Sequence, residues 1–177
     1  IQPDNPTNTV INTYTSYKYH EIDEYNIAKI GRRWFGNRFD FNSSQTFEFN
    51  IPNLITEEPI NIKIYTAAVS EISTSMSISV NNQEISNLNY SPIGDPVLVS
   101  GDFYSDNIMV SNSNISVNLN YNNNGNPSSV AYLDYISIEG TSDLIFNNDQ
   151  LIFYNKDLVD LNGVGEYNIS NGNLISN

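Results

Sequence analysis

At 177 residues the chain is sized for one domain, and its lack of cysteine removes disulfides, thiolate metal sites and cysteine nucleophiles together. With 20 acidic against 7 basic residues the formal net charge is −13, a field that repels nucleic-acid phosphates and anionic lipid surfaces. Hydrophobic residues at 39%, with 12 Tyr, 8 Phe and one Trp, supply the apolar area that a core of this size needs and a disordered chain lacks. Charged residues are only 15%, and Asn, Ser and Thr provide the remaining polarity. No apolar run approaches the ~20 residues that cross a bilayer, and no signal-peptide pattern opens the chain. Starting at Ile1 without Met, the sequence reads as an excised or processed piece.

Residues 1–15 are rich in Asn, Thr and Pro, and Pro3 and Pro6 point to an extended N-terminal segment. Aromatics alternate with polar residues from Tyr14 to Ile22, which predicts a strand. Asp23 to Ile30 is expected to form a short helical turn, capped by Asp23 and stopped by Gly31. Period-two alternation then takes over. Phe47, Phe49 and Ile51 share one face, as do Ile60, Ile62 and Ile64, then Met76, Ile78 and Val80, then Ile115, Val117, Leu119 and Tyr121. In a later strand Tyr132, Asp134, Ile136 and Ile138 are expected on one face, with Leu133 and Tyr135 on the other. Asn81 and Asn82 predict a two-residue primed hairpin turn, and residues 122–127 a longer loop. Eight to ten strands at this spacing predict an all-β, antiparallel β-sandwich, jelly-roll-like and of the galactose-binding-like kind, over residues 16–170. Residues 171–177 read as a linker.

Candidates for chemistry are few. His20 is the only histidine, and with no G-x-S-x-G elbow it reads as a half-exposed structural residue and not a triad member. Glu57 and Glu58 precede Pro59 and read as a solvated turn instead of a paired acid and base. No cofactor is expected. A structural calcium ion is the one alternative, with Asp95, Asp102 and Asp106 as candidate ligands and Asp143 and Asp149 as a second acidic stretch. The most unusual segment is 31–36, where Arg32 and Arg33, two of the 7 basic residues, adjoin the lone Trp34 and Phe35. One reading buries Trp34 and Phe35 in the core and pairs the guanidiniums with acids. The other makes Arg32, Arg33, Trp34 and Phe35 an exposed platform for sugar or protein. The first is the expectation.

Six segments in order carry a resemblance. Tyr25-Asn26-Ile27, residues 31–40 (GRRWFGNRFD), residues 47–54 (FEFNIPNL), residues 62–68 (IKIYTAA), Tyr132 to Ile136 (YLDYI) and residues 148–153 (NDQLIF) together resemble the β-rich N-terminal region of PorU-like sortases of the type IX secretion system, in the gingipain-type cysteine peptidase family. The likeness runs over about residues 14 to 170. Two departures stand out: residues 140–144 read GTSDL where the family often has an arginine pair, and Tyr132 stands where Trp is common.

The resemblance implies a β-domain preceding a peptidase domain that holds the catalytic Cys and His, to which no position here corresponds. It implies a parent at the outer surface of a Gram-negative cell, one that cleaves the C-terminal sorting domain from secreted cargo and helps attach the product to a surface glycolipid. The implied partners are the parent's own peptidase domain, an outer-membrane barrel or the cargo, with no nucleic acid and no direct membrane insertion. The expected function is therefore a non-catalytic scaffold or interaction domain. Two alternatives stay open: a carbohydrate-binding jelly-roll module, which needs several exposed aromatics lining a groove, and a small hydrolase working through carboxylates.

Overall fold

A computed structural model describes residues 9–27, 33–147, 150–155 and 165–171. Their secondary structure is all strand: β1 (Thr9–Ile11), β2 (Thr13–Glu21), β3 (Arg38–Phe39), β4 (Ser44–Asn50), β5 (Ile60–Val69), β6 (Thr74–Val80), β7 (Gln83–Tyr90), β8 (Ser100–Ile108), β9 (Asn114–Asn122), β10 (Val130–Asp143) and β11 (Gly165–Tyr167). One sheet runs β2-β10-β5-β8, with β3 also on β10, and the other runs β4-β9-β6-β7. All pairings in both are antiparallel, and a separate parallel pair joins β1 to β11. Among the described residues no helix is long and apolar enough to cross a membrane.

The two sheets face each other because each strand turns one apolar face inward. Ile60, Ile62, Ile64, Leu133, Ile136 and Ile138 of the first sheet bury against Phe47, Phe49, Met76, Ile78, Val117 and Leu119 of the second. This is the jelly-roll-like β-sandwich that the alternation predicts. Asn81 and Asn82 turn the β6–β7 hairpin with φ of 48° and 67°, the left-handed values that a two-residue primed turn requires and Asn tolerates. Tyr90 and Thr66 join the layers through a buried hydroxyl–hydroxyl bond of 2.6 Å, and burial lifts the Tyr90 phenol well above its ordinary pKa.

Two local expectations are corrected. Asp23 to Ile27 is not helical: the Tyr25 and Phe35 backbones exchange hydrogen bonds of 2.8 and 2.9 Å, so the segment is extended and folded back on 33–36. Residues 28–30 of that candidate turn lie outside the described residues. In β10 the face pattern changes partway along the strand. Ala131 and Leu133 point inward, but so do Ile136 and Ile138, because the register shifts between Leu133 and Tyr135. Asp134 is the extra residue of this bulge, and a bulge reverses the parity of everything after it. Unbroken alternation had placed Tyr132 and Asp134 with Ile136.

Candidate functional site

The bulge builds a feature where charge, an aromatic and a depression meet. Asp134 is directed to the outer face of the five-stranded sheet, where Arg33 Nη1 lies 3.0 Å from its Oδ2. The same guanidinium stacks on Tyr65 of β5, with Cζ 3.8 Å from the ring centroid. Gly101 on β8 makes room for that tyrosine, since a Cβ there would fall on the phenol oxygen. Arg33 thus fastens the incoming segment to β10 by charge and to β5 by its flat face.

The backbone holds the rest. Gly36 N donates to Leu133 O at 2.8 Å and Leu133 N to Asn37 O at 2.9 Å, which prolongs β3 along β10 beyond the end of β2. Phe35, only 5% exposed, packs its ring beside Tyr65 and Tyr132 with centroids 6.4 Å from each, and Tyr25 covers Tyr132 at 5.3 Å. Around Arg33 lies an open depression of about 420 Å³ lined by Glu21, Asp23, Arg33, Trp34, Asp134 and Tyr135.

Electrostatics there shift the titration of one group. Burial pushes the Asp134 carboxyl above its ordinary range, Arg33 opposes this, and Glu21 and Asp23 add to the rise. A folded pKa above the unfolded one means that the native state binds the extra proton. Asp134's own contribution to stability is therefore fullest below about pH 3.8 and declines as pH rises through the higher folded value. Asp134→Asn is expected to remove that decline, seen as a flatter stability–pH curve above pH 3.8 in urea titrations. An unchanged slope would show that another group causes it.

The sequence candidates fall as follows. Arg32 lies outside the described residues, and Arg33 and Trp34 line the depression. Phe35 is buried, with its ring against Tyr65 and Tyr132. Trp34 is 45% exposed, which corrects the expectation that it anchors the core. Its neighbour Phe35 takes the inward place, and alternation leaves Trp34 outside. Trp34→Ala is accordingly expected to cost under about 1 kcal/mol by chemical denaturation, not the ~3–5 kcal/mol of a core aromatic. A loss near the core value would put the indole back inside.

His20 Nε2 is 2.7 Å from Asn37 Oδ1, and its ring sits 4.8 Å from that of Phe47, the half-buried structural setting expected of it. Glu57 and Glu58 lie exposed in a turn. The aspartates proposed for calcium are not gathered: among the described residues no group of three or more His, Cys, Asp or Glu is placed to hold a metal. Asp102 and Asp106 stand four residues apart on β8, about 13 Å at strand rise. Each accepts the next residue's backbone N–H, at 2.9 Å from Phe103 and 2.8 Å from Asn107, and Asp102 also accepts from Asn89 at 3.1 Å. Asp95 lies in the loop before β8, Asp143 is exposed at the end of β10, and Asp149 lies outside the described residues. Sequence reasoning missed Glu21, Asp23, Tyr65 and Asp134 as Arg33's surroundings. The one available signal was a carboxylate among the aromatic and aliphatic residues of 132–136.

The molecule thus defines a class, an antiparallel β-sandwich module with an arginine-pinned loop across one sheet. No protein-family model and no curated protein sequence matches the chain. Among solved structures it is similar to dimeric latent PorU from Porphyromonas gingivalis, with a TM-score of 0.70 at 17% identity, over 89% of this chain and 15% of that one. At this identity what the two share is the fold, and the chain spans 15% of that protein's length. Weaker alignments reach the CBM36-1 domain of a multidomain xylanase from the hindgut metagenome of Trinervitermes trinervoides (TM-score 0.44, 12% identity, 71% of this chain and 97% of that one). Another reaches a CBM36 module in complex with calcium and xylotriose (TM-score 0.41, 10% identity, 68% and 98%).

Proposed function

We propose that the chain is a non-catalytic scaffold and interaction domain of a cell-surface sortase, the C-terminal signal peptidase of a type IX secretion system, at the outer membrane of a Gram-negative bacterium. The observation that carries this reading is where the resemblance segments lie. Tyr25 pairs with Phe35, residues 36–39 pair with β10 at Ala131 to Leu133, and Arg33 sits on Tyr65 and Asp134. In their described residues, segments 25–27, 31–40, 62–68 and 132–136 are thus one contiguous unit. The PorU alignment over 89% of the chain supports the same reading. With no thiol in 177 residues, bond breaking would belong to a peptidase domain elsewhere in the parent. The sandwich at 16–170 would steady that domain or dock a barrel or cargo partner, with 171–177 as the link. The test is the reading frame past Asn177: a following domain with a gingipain-type Cys and His supports the proposal, and a stop codon or an unrelated domain contradicts it.

A second reading, a carbohydrate-binding module, is favoured by the rings of Tyr17, Tyr19, Trp34 and Phe103, all at least 45% exposed. Affinity electrophoresis in gels containing soluble polysaccharide separates the two. Retardation that Trp34→Ala abolishes without loss of stability would favour the sugar binder.

A further inference from the structure

We propose that the outer edge of β2, from Tyr17 to Glu21, is a strand-addition site for an extended peptide of alternating apolar and basic residues; this rests on reading the chain as an interaction domain. β2 pairs on one side only, with β10. The Thr15 N–H points away from that partner and donates to Tyr154 O at 2.8 Å, so segment 150–155 already lies along the first part of the free edge. Backbone direction repeats every second residue in a strand, so the N–H and C=O groups of Tyr17, Tyr19 and Glu21 point the same way as those of Thr15. Among the described residues none of these three amides has an acceptor.

The β8 edge and the β7 side are treated differently. On β8, Phe103 N and Asn107 N are taken by the side chains of Asp102 and Asp106. On the β7 side, Asn89 N is taken by Asp102 and Ser91 N by Ser100 Oγ. Side-chain caps of this sort blunt an edge against pairing. The Tyr17–Glu21 edge carries none, and a row of unpaired backbone groups is recognised by another extended backbone.

The flanks specify the occupant. Beside the edge at Tyr14 to Lys18 runs a groove of about 600 Å³ whose walls include Lys18, Ile145, Leu151, Ile152 and Tyr154. Apolar side chains at the Tyr17 end of an added strand would enter it. On the outer side the rings of Tyr17 and Tyr19, 50% and 63% exposed with centroids 5.9 Å apart, stand in line with Glu21, a setting for cations. A net charge of −13 draws a basic peptide and repels a second copy of this chain.

The experiment is amide hydrogen exchange by NMR on the whole chain, with and without a synthetic ten-residue peptide of alternating valine and lysine. At about millimolar peptide, exchange at Tyr17, Tyr19 and Glu21 is expected to slow about tenfold or more, while β4 amides stay unchanged. Tyr19→Pro deletes one outward N–H and leaves the β10 ladder intact, and it is expected to weaken binding about tenfold or more. Should that variant fold poorly, the same peptide N-methylated at alternate residues, added to the unaltered chain, is expected to bind about tenfold or more weaker. No protection at those amides, or equal binding by the N-methylated peptide, overturns the proposal. So does concentration-dependent protection without peptide that accompanies dimerisation in sedimentation, because the edge would then belong to a second copy. The reading-frame test does not involve β2, so failure of this proposal and failure of the sortase assignment are separately visible.

Discussion

Phe39→Ala is expected to destabilise the fold by about 3–5 kcal/mol, the largest effect of any single truncation proposed. Phe39 is 0% exposed although β3 has only two residues, and its partner across the ladder is Ala131. Removing the ring deletes its transfer free energy and leaves a cavity beside an alanine, which has no volume to fill it. β3 cannot shift inward to collapse the void, because Gly36 N and Asn37 O hold its approach to Leu133 on β10. Against a typical stability of about 5–15 kcal/mol such a loss is a large share of the total. Urea denaturation followed by far-UV dichroism measures it, with a lower midpoint at unchanged slope. A loss below about 1 kcal/mol would mean that β3 is not seated in the core.

Gly36→Ala is the second. A Cβ on Gly36 would lie 2.5 Å from both the Cβ and the carbonyl oxygen of Ile22. One of those is backbone, so no side-chain rotation relieves the clash, and Gly36 cannot retreat while its N–H is bonded to Leu133. The substitution is expected to cost about 1–3 kcal/mol, the usual range for overpacking, by forcing the strand end at Ile22 away from the 33–36 segment. The disturbance should reach Trp34, two residues away, so a shift in indole fluorescence is expected to accompany the loss. Unchanged stability and emission would show that the two segments are not in contact. Between them, these variants probe both faces of the resemblance segment at 31–40: Phe39 looks into the sandwich and Gly36 touches the chain that crosses over it.

Much of the sandwich was legible because burial on one face writes itself as alternation. Phe47 and Phe49, the isoleucines at 60, 62 and 64, and Ile115 to Tyr121 all bury as their spacing predicts. The Asn81–Asn82 turn was legible for a backbone reason, since few residues other than Gly tolerate its left-handed dihedrals. What failed was whatever depended on a long-range partner. The bulge at Asp134 arises in the pairing of β10 with β5, and a single strand's sequence does not reveal how its partner is registered. Trp34 and Phe35 are adjacent aromatics, and which one turns inward is decided by Tyr65 and Tyr132 from other strands. The candidate helix at Asp23 yielded to a bridge with Phe35, since a turn's worth of helix propensity is worth less than two backbone bonds and the packing they bring.

The aspartates on β8 carry a related lesson. Read along the chain, Asp95, Asp102 and Asp106 are a loop-rich acidic stretch suited to a hard cation. In space Asp102 and Asp106 lie on one edge strand, and their carboxylates take backbone amides, including one from β7. Their chemistry is edge protection. The same comparison makes the bare stretch of β2 conspicuous, although in sequence Tyr17 to Glu21 looks like any other half-buried strand.

The proposed role depends most on the chain being unable to break a peptide bond itself. The direct measurement is hydrolysis of fluorogenic peptides copied from the C-terminal sorting tails of type IX cargo, with the purified 177-residue chain as the only protein present. The expected result is a rate indistinguishable from buffer, for the chain and for His20→Ala alike. Turnover that scales with chain concentration and disappears in His20→Ala would contradict the account, because it would make the one imidazole, at Asn37 and Phe47, a catalytic group.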